Sequence, residues 1–91
     1  MTTFDGALIA EQGVKFGLLL VKPHVLRDPV AQRQMRVFGT QVWGRIPIVL
    51  MAQNGRGLPT YQGRQDIVRF LANIDMRRIP FKRWTVTPRV A

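Results

Sequence analysis

The side chains in this sequence with most capacity for chemistry are cationic, and arginine dominates them. Fourteen Lys and Arg stand against five Asp and Glu in 91 residues, a formal net charge of +9 at pH 7. Eleven of the fourteen are Arg, whose planar fork of donors matches phosphate and carboxylate and stacks on flat rings, as lysine does not. The densest stretch is Arg77-Arg78-Ile79-Pro80-Phe81-Lys82-Arg83-Trp84, with Arg89 beyond it. Strand alternation there would put Lys82 with Trp84 on one face and Phe81 with Arg83 on the other, each pairing a ring with a cation. Such a pairing suits base stacking combined with phosphate neutralisation, or equally a terminal strand anchored by its rings.

Three smaller features point the same way. Arg33, Arg36, Thr40 and Trp43 recur at helical spacing, and two cations one turn apart suit a run of phosphates. The same spacing describes an ordinary solvated helix face, and Trp43 at its end reads as packed. Arg56 falls in the turn Asn54-Gly55-Arg56-Gly57, where it could probe a groove. Arg64 follows Tyr61-Gln62-Gly63 at a helix start, where free N–H groups favour an anion. The anion-binding candidates are therefore Arg33, Arg36, Arg56, Arg64, Arg77, Arg78, Lys82, Arg83 and Trp84.

Other chemistries find little material. Cysteine and serine are absent, which removes disulfides, thiolate chemistry and cysteine-rich zinc sites. His24 is the lone histidine, and Asp5, Glu11, Asp28, Asp66 and Asp75 are scattered without metal-ligand spacing. Asp28 has a structural use as a helix cap and Asp66 as a first-turn acid. No catalytic residue, metal or cofactor is expected. Gly55-Arg56-Gly57 lies in a hairpin, so it is not a phosphate-cradling loop between strand and helix.

The elements that position these residues follow from periodicity. Phe4–Ala10 and Val14–Lys22 read as a hairpin about Glu11-Gln12-Gly13. In the second strand Phe16, Leu18 and Leu20 share one face while Leu19 and Val21 take the other, the pattern of a strand in mid-sheet. Asp28-Pro29 starts a helix with the apolar stripe Ala31, Met35, Phe38 and Val42, ending at Gly44. Ile46–Ala52 reads as a buried strand, and Leu58–Gln62 returns from the Asn-Gly turn as an edge strand marked by Pro59. A second helix is expected from Arg64 to Ile74 and a last strand from Phe81 to Val86, with 87–91 frayed.

The order β-β-α-β-β-α-β predicts one compact α+β domain over 1–91: a sheet of four to five strands with two helices on one face, ferredoxin-like in arrangement. A thioredoxin-like arrangement is the alternative for Ile46–Ile74, without the redox cysteines of that family. Near the lower size limit for a single core, the chain is a candidate homodimer. Its first residues lack the pattern of a signal peptide, and its longest apolar run is too short for a bilayer, so a soluble, cytoplasmic protein without membrane association is expected.

Three functions fit this material. The first is a basic accessory protein that binds nucleic acid or another polyanion, mainly electrostatically. The second is a small interaction module for an acidic protein or its own copy, with Trp43 or Trp84 as anchors. The third is a small enzyme with a pocket of Arg and Tyr61.

Overall fold

A computed structural model describes residues 2–11 and 13–86. Strands β1 (Thr2–Glu11), β2 (Val14–Leu20), β3 (Ile48–Gln53), β4 (Pro59–Gln62) and β5 (Lys82–Val86) form one sheet, with helices α1 (Pro29–Trp43) and α2 (Gln65–Ala72). Pro23–Arg27 and Met76–Arg78 add short 3₁₀ turns. The expected C-terminal tail, 87–91, lies outside the described residues.

Local chemistry sets each boundary. Gly13 takes φ +79° in the β1–β2 turn, a conformation costly for a residue with a side chain. Asp28 caps α1, its carboxylate accepting from Val30 N at 3.0 Å and Ala31 N at 3.3 Å, and Pro29 occupies the first turn, where its missing N–H costs nothing. Gly44 closes the helix, its N–H donating to Thr40 O. In the β3–β4 hairpin the Asn54 side chain accepts from Arg56 N and Leu58 N, holding the turn from within.

The strand order is β4-β3-β2-β1-β5, mixed in direction: β2 and β3 are parallel and every other pairing is antiparallel. This corrects the ferredoxin-like expectation. In split βαβ units another strand lies between the two that flank each helix. Here β2 and β3, joined through α1, are direct neighbours, with Gly17 opposite Ile48 and Leu20 opposite Met51. The strand-hairpin-helix run expected within Ile46–Ile74 is present as β3, β4 and α2, a likeness confined to that segment.

The placement of both helices on one face is also corrected. Ile67 and Leu71 of α2 pack with Ala7, Phe16, Leu18, Val49 and Met51. On the other side Met35 and Phe38 of α1 pack with Leu19, Ile48 and Leu50. Leu18 and Leu19, adjacent in β2, feed different clusters, so the helices cover opposite faces. The physical reason is in β2 and β3: both are buried on alternating residues of both faces, and a single helical layer would leave one face wet.

Candidate functional site: the outer surface of helix α1 and its surroundings

The α1 side of the sheet is built around aromatics. The Trp43 indole lies against Gly17 so closely that a Cβ there would overlap the ring, and a Cβ on Gly6 would meet Trp43 Cη2 at 3.0 Å. Phe4 meets Trp43 edge-on at 5.7 Å between ring centres and Phe38 at 5.1 Å, and Trp43 meets Trp84 edge-on at 5.3 Å. Trp43 is thus turned under the helix and does not continue the line of Arg33, Arg36 and Thr40.

Trp84 is bound into the same cluster. One ring face lies nearly parallel to Phe4 at 6.4 Å, the Lys82 ammonium sits over the ring at 4.1 Å, and Nε1 donates to Gly6 O at 3.1 Å. A base stacking on the ring face that carries the ammonium would have to displace Lys82. Phe81 packs into the opposite cluster with α2. The rings of the C-terminal basic stretch therefore hold the strand to the core.

The nine candidate residues do not form one patch. Arg33 and Arg36 stand on α1, Arg56 at the exposed hairpin tip, and Arg64 at the start of α2. Arg77 and Arg78 lie in the turn after α2. The β1–β5 register puts Lys82 and Trp84 on the α1 side, opposite Gly6 and Phe4, and Arg83 on the other side, opposite Asp5.

Three of the arginines are held by carboxylates. Arg64 grips Asp66 with two donors at 2.8 Å, Arg77 holds Asp75 at 2.8 Å, and Arg83 reaches Asp5 at 3.2 Å. Arg77 keeps the Asp75 carboxyl well below the usual range, at about 2, chiefly through its side-chain hydrogen bond and then through its backbone N–H. Asp66 is lowered likewise, first by the Arg64 side chain. The anion expected at the start of α2 is thus supplied from within the chain, by Asp66.

Arg33 and Arg36 differ. Neither has a carboxylate within 4 Å among the described residues. Arg33 is exposed. Arg36 is half-buried, its guanidinium making a single long hydrogen bond among the described residues, to Gln62 O at 3.4 Å, and burial pulls its pKa below the ordinary value. Between them and Gln32, Val37, Thr40 and Gln41 runs a shallow groove of about 520 Å³ that contains no acid. A guanidinium partly stripped of water and short of acceptors is a ready donor for an anion.

Of the Arg and Tyr61 pocket expected for a small enzyme, Tyr61 and one arginine, Arg69, share a depression. Tyr61 lines a shallow depression beside Gly63, Val68 and Arg69, which neither Arg64 nor His24 borders. Its hydroxyl is buried without a hydrogen-bond partner among the described residues, and burial raises its pKa. No group of three His, Asp or Glu side chains that could hold a metal forms among the described residues, and no described helix is long and apolar enough to cross a membrane.

Sequence reasoning missed Gln32, Val37 and Gln41 as groove residues and Val30 as their neighbour. The signal was present: Val30, Arg33, Val37, Thr40 and Gln41 fall at i, i+3, i+7, i+10 and i+11, opposite the apolar stripe of the same helix. No protein-family model matches this chain, and no curated protein or solved structure gives a significant match. The fold and its surface chemistry alone bear on function.

Proposed function

We propose that the protein is a basic accessory protein that binds nucleic acid through its phosphate backbone, with Arg33 and Arg36 on α1 as the central contacts. The observation that carries this reading is the acid-free groove on α1, walled by two arginines that have no carboxylate within 4 Å among the described residues, while Arg64, Arg77 and Arg83 have theirs. Arg27 and Arg45, both exposed, bracket the helix, and Arg56, Arg78 and Lys82 add long-range attraction. The aromatic rings are packed, so the contact is electrostatic and falls steeply with salt.

The test is fluorescence anisotropy of a labelled 20-base-pair DNA duplex at low salt. Binding that weakens on raising the salt and on replacing Arg33 and Arg36 by alanine supports the reading. Negligible affinity for duplex or single strand at low salt overturns it.

A second reading, a module that takes a partner strand, is favoured by one feature. β5 pairs with β1 only as far as Gly6, so the outer side of β1 from Ala7 to Glu11 has no partner strand among the described residues. A groove of about 430 Å³ runs beside it, lined by Ile9, Phe70, Ile74 and Ile79 with Glu11 and Arg78. Such an edge can accept an extended segment by main-chain pairing. Sedimentation over a concentration series and nuclease-resistant capture of an acidic protein would separate this from the first reading.

A further inference from the structure

The outermost stripe of α1 has an unusual make-up for a solvated surface. Val30 and Val37 are 60% and 52% exposed, two of only three large apolar side chains so exposed among the described residues. They stand two turns apart on one line and flank Arg33, with Thr40 and Gln41 continuing the line. No acid lies on it. Methyl groups, a forked cation and an amide on one helical face are the groups that read base edges in DNA. Arg addresses guanine, Gln addresses adenine, and Val or Thr methyls meet the thymine methyl.

We propose that α1 is a recognition helix for B-form DNA, lying in the major groove with Val30, Arg33, Val37, Thr40 and Gln41 toward the bases. Arg36 on its flank, with Arg27 before it and Arg45 after it, reaches the bordering phosphates. This deepens the backbone-binding reading and rests on it. The helix is 15 residues long, about 22 Å, and about 10–12 Å across, matching a groove about 12 Å wide and 8.5 Å deep.

Other occupants fit less well. Single strands are held by stacking on open rings, and here Trp43 is packed under the helix while Trp84 is tied to Gly6 O through Nε1 and carries the Lys82 ammonium over its ring. The major groove of duplex RNA is too deep and narrow for a helix. A second copy of the chain would bring Arg33 and Arg36 against their own counterparts with no acid between them.

Selection of binders from a random 20-base-pair duplex pool, using the full chain, tests the assignment. A helix of this length should enrich a core of about six base pairs or fewer, at about 3.4 Å per pair. Val37→Ser and Arg33→Gln should each weaken binding to the enriched duplex about 5- to 150-fold, the discrimination of one base contact. Val37→Ser should weaken binding to a scrambled duplex by far less than binding to the enriched one, because it removes no charge. Circular dichroism on both variants confirms folding, since both positions are exposed.

Salt-sensitive binding to every duplex without enrichment overturns the recognition helix and leaves the backbone reading standing. Failure to bind any duplex or single strand overturns both. Enrichment indifferent to Val37→Ser and Arg33→Gln, tighter binding to single strands than to duplex, or a concentration-dependent dimer abolished by Val37→Ser also contradicts the assignment.

Discussion

Replacing Gly17 with alanine probes the aromatic platform on which α1 rests. In a strand this exchange ordinarily helps by roughly 0.5–1 kcal/mol, because alanine has less backbone freedom to lose. Here the new methyl would overlap the Trp43 ring and meet Ile48 Cδ1 at 3.2 Å. Trp43 cannot withdraw freely, with Phe4 5.7 Å and Trp84 5.3 Å from it between ring centres. Forcing a methyl into a packed site costs about 1–3 kcal/mol. Expelling the ring instead would give up part of the area an aromatic side chain buries, about 150–250 Å² when complete, which at about 25 cal/mol per Å² is again a few kcal/mol. After the gain is set against the cost, the first route predicts a net loss of about 1 kcal/mol and the second about 2 kcal/mol. For a domain of this size that lowers Tm by roughly 4–16 °C, at about 4–8 °C per kcal/mol. Thermal unfolding followed by far-UV circular dichroism reads the loss, and near-UV circular dichroism reads the tryptophans. Gly55→Ala is the control, since a Cβ there meets nothing within 4 Å. A Gly17→Ala protein as stable as the parent, with an unchanged near-UV spectrum, would refute the placement of Trp43 on β2.

Further outcomes follow from individual contacts. Asp28→Ala removes the α1 cap and should cost about 1 kcal/mol, read as a fall in Tm. Asp75, with its pKa near 2, should titrate by carboxyl-carbon NMR well below an ordinary aspartate, and Arg77→Ala should return it toward 3.8. The folded pKa lies below the unfolded one, so this contact contributes stability above about pH 4 that is lost as pH falls toward 2. An Asp75 that titrates normally would contradict the Arg77 contact. Tyr61→Phe deletes a buried hydroxyl that lacks a partner among the described residues and should raise Tm by a few degrees. In the parent protein Tyr61 should ionise above pH 10 by ultraviolet absorbance, and the raised folded pKa means stability is lost as pH rises past 10.

Local signals in the chain carried the elements, and long-range order was carried by subtler ones. The expected helix start at Asp28-Pro29 and its end at Gly44 coincide with α1, because capping chemistry is local. The Asn54-Gly55 turn and the edge position of the strand beginning at Pro59 are likewise as expected. The mid-sheet placement of β2 followed from Leu18 and Leu19 pointing to opposite faces, and β2 lies between β1 and β3. That same pattern implied cover on both faces, yet a one-faced arrangement was inferred from element order. Element order does not distinguish neighbouring βαβ strands from split ones, since pairing is decided by side-chain contacts distant in sequence.

For the site, charge was legible and pairing was not. Nothing in the spacing of Arg77 and Asp75, or of Arg64 and Asp66, says that two side chains two residues apart will close on each other. Asp5 and Arg83 meet only because β5 pairs with β1. The residues densest in sequence thus proved partly neutralised. The pair on α1, weaker as a motif, has no carboxylate within 4 Å among the described residues, and no acid occurs between Pro29 and Trp43.

The salt dependence of duplex binding tests the central claim most directly. Each phosphate neutralised adds about 0.9 to the slope of log affinity against log salt concentration. On a duplex of unrelated sequence, where Arg33 as well as Arg36 meets phosphate, replacing both by alanine should reduce that slope by about 1.8, whereas replacing Arg64 and Arg77, already held by Asp66 and Asp75, should reduce it by far less. Equal losses from the two double variants, or no loss from the first, would contradict the assignment of α1 as the anion-binding surface.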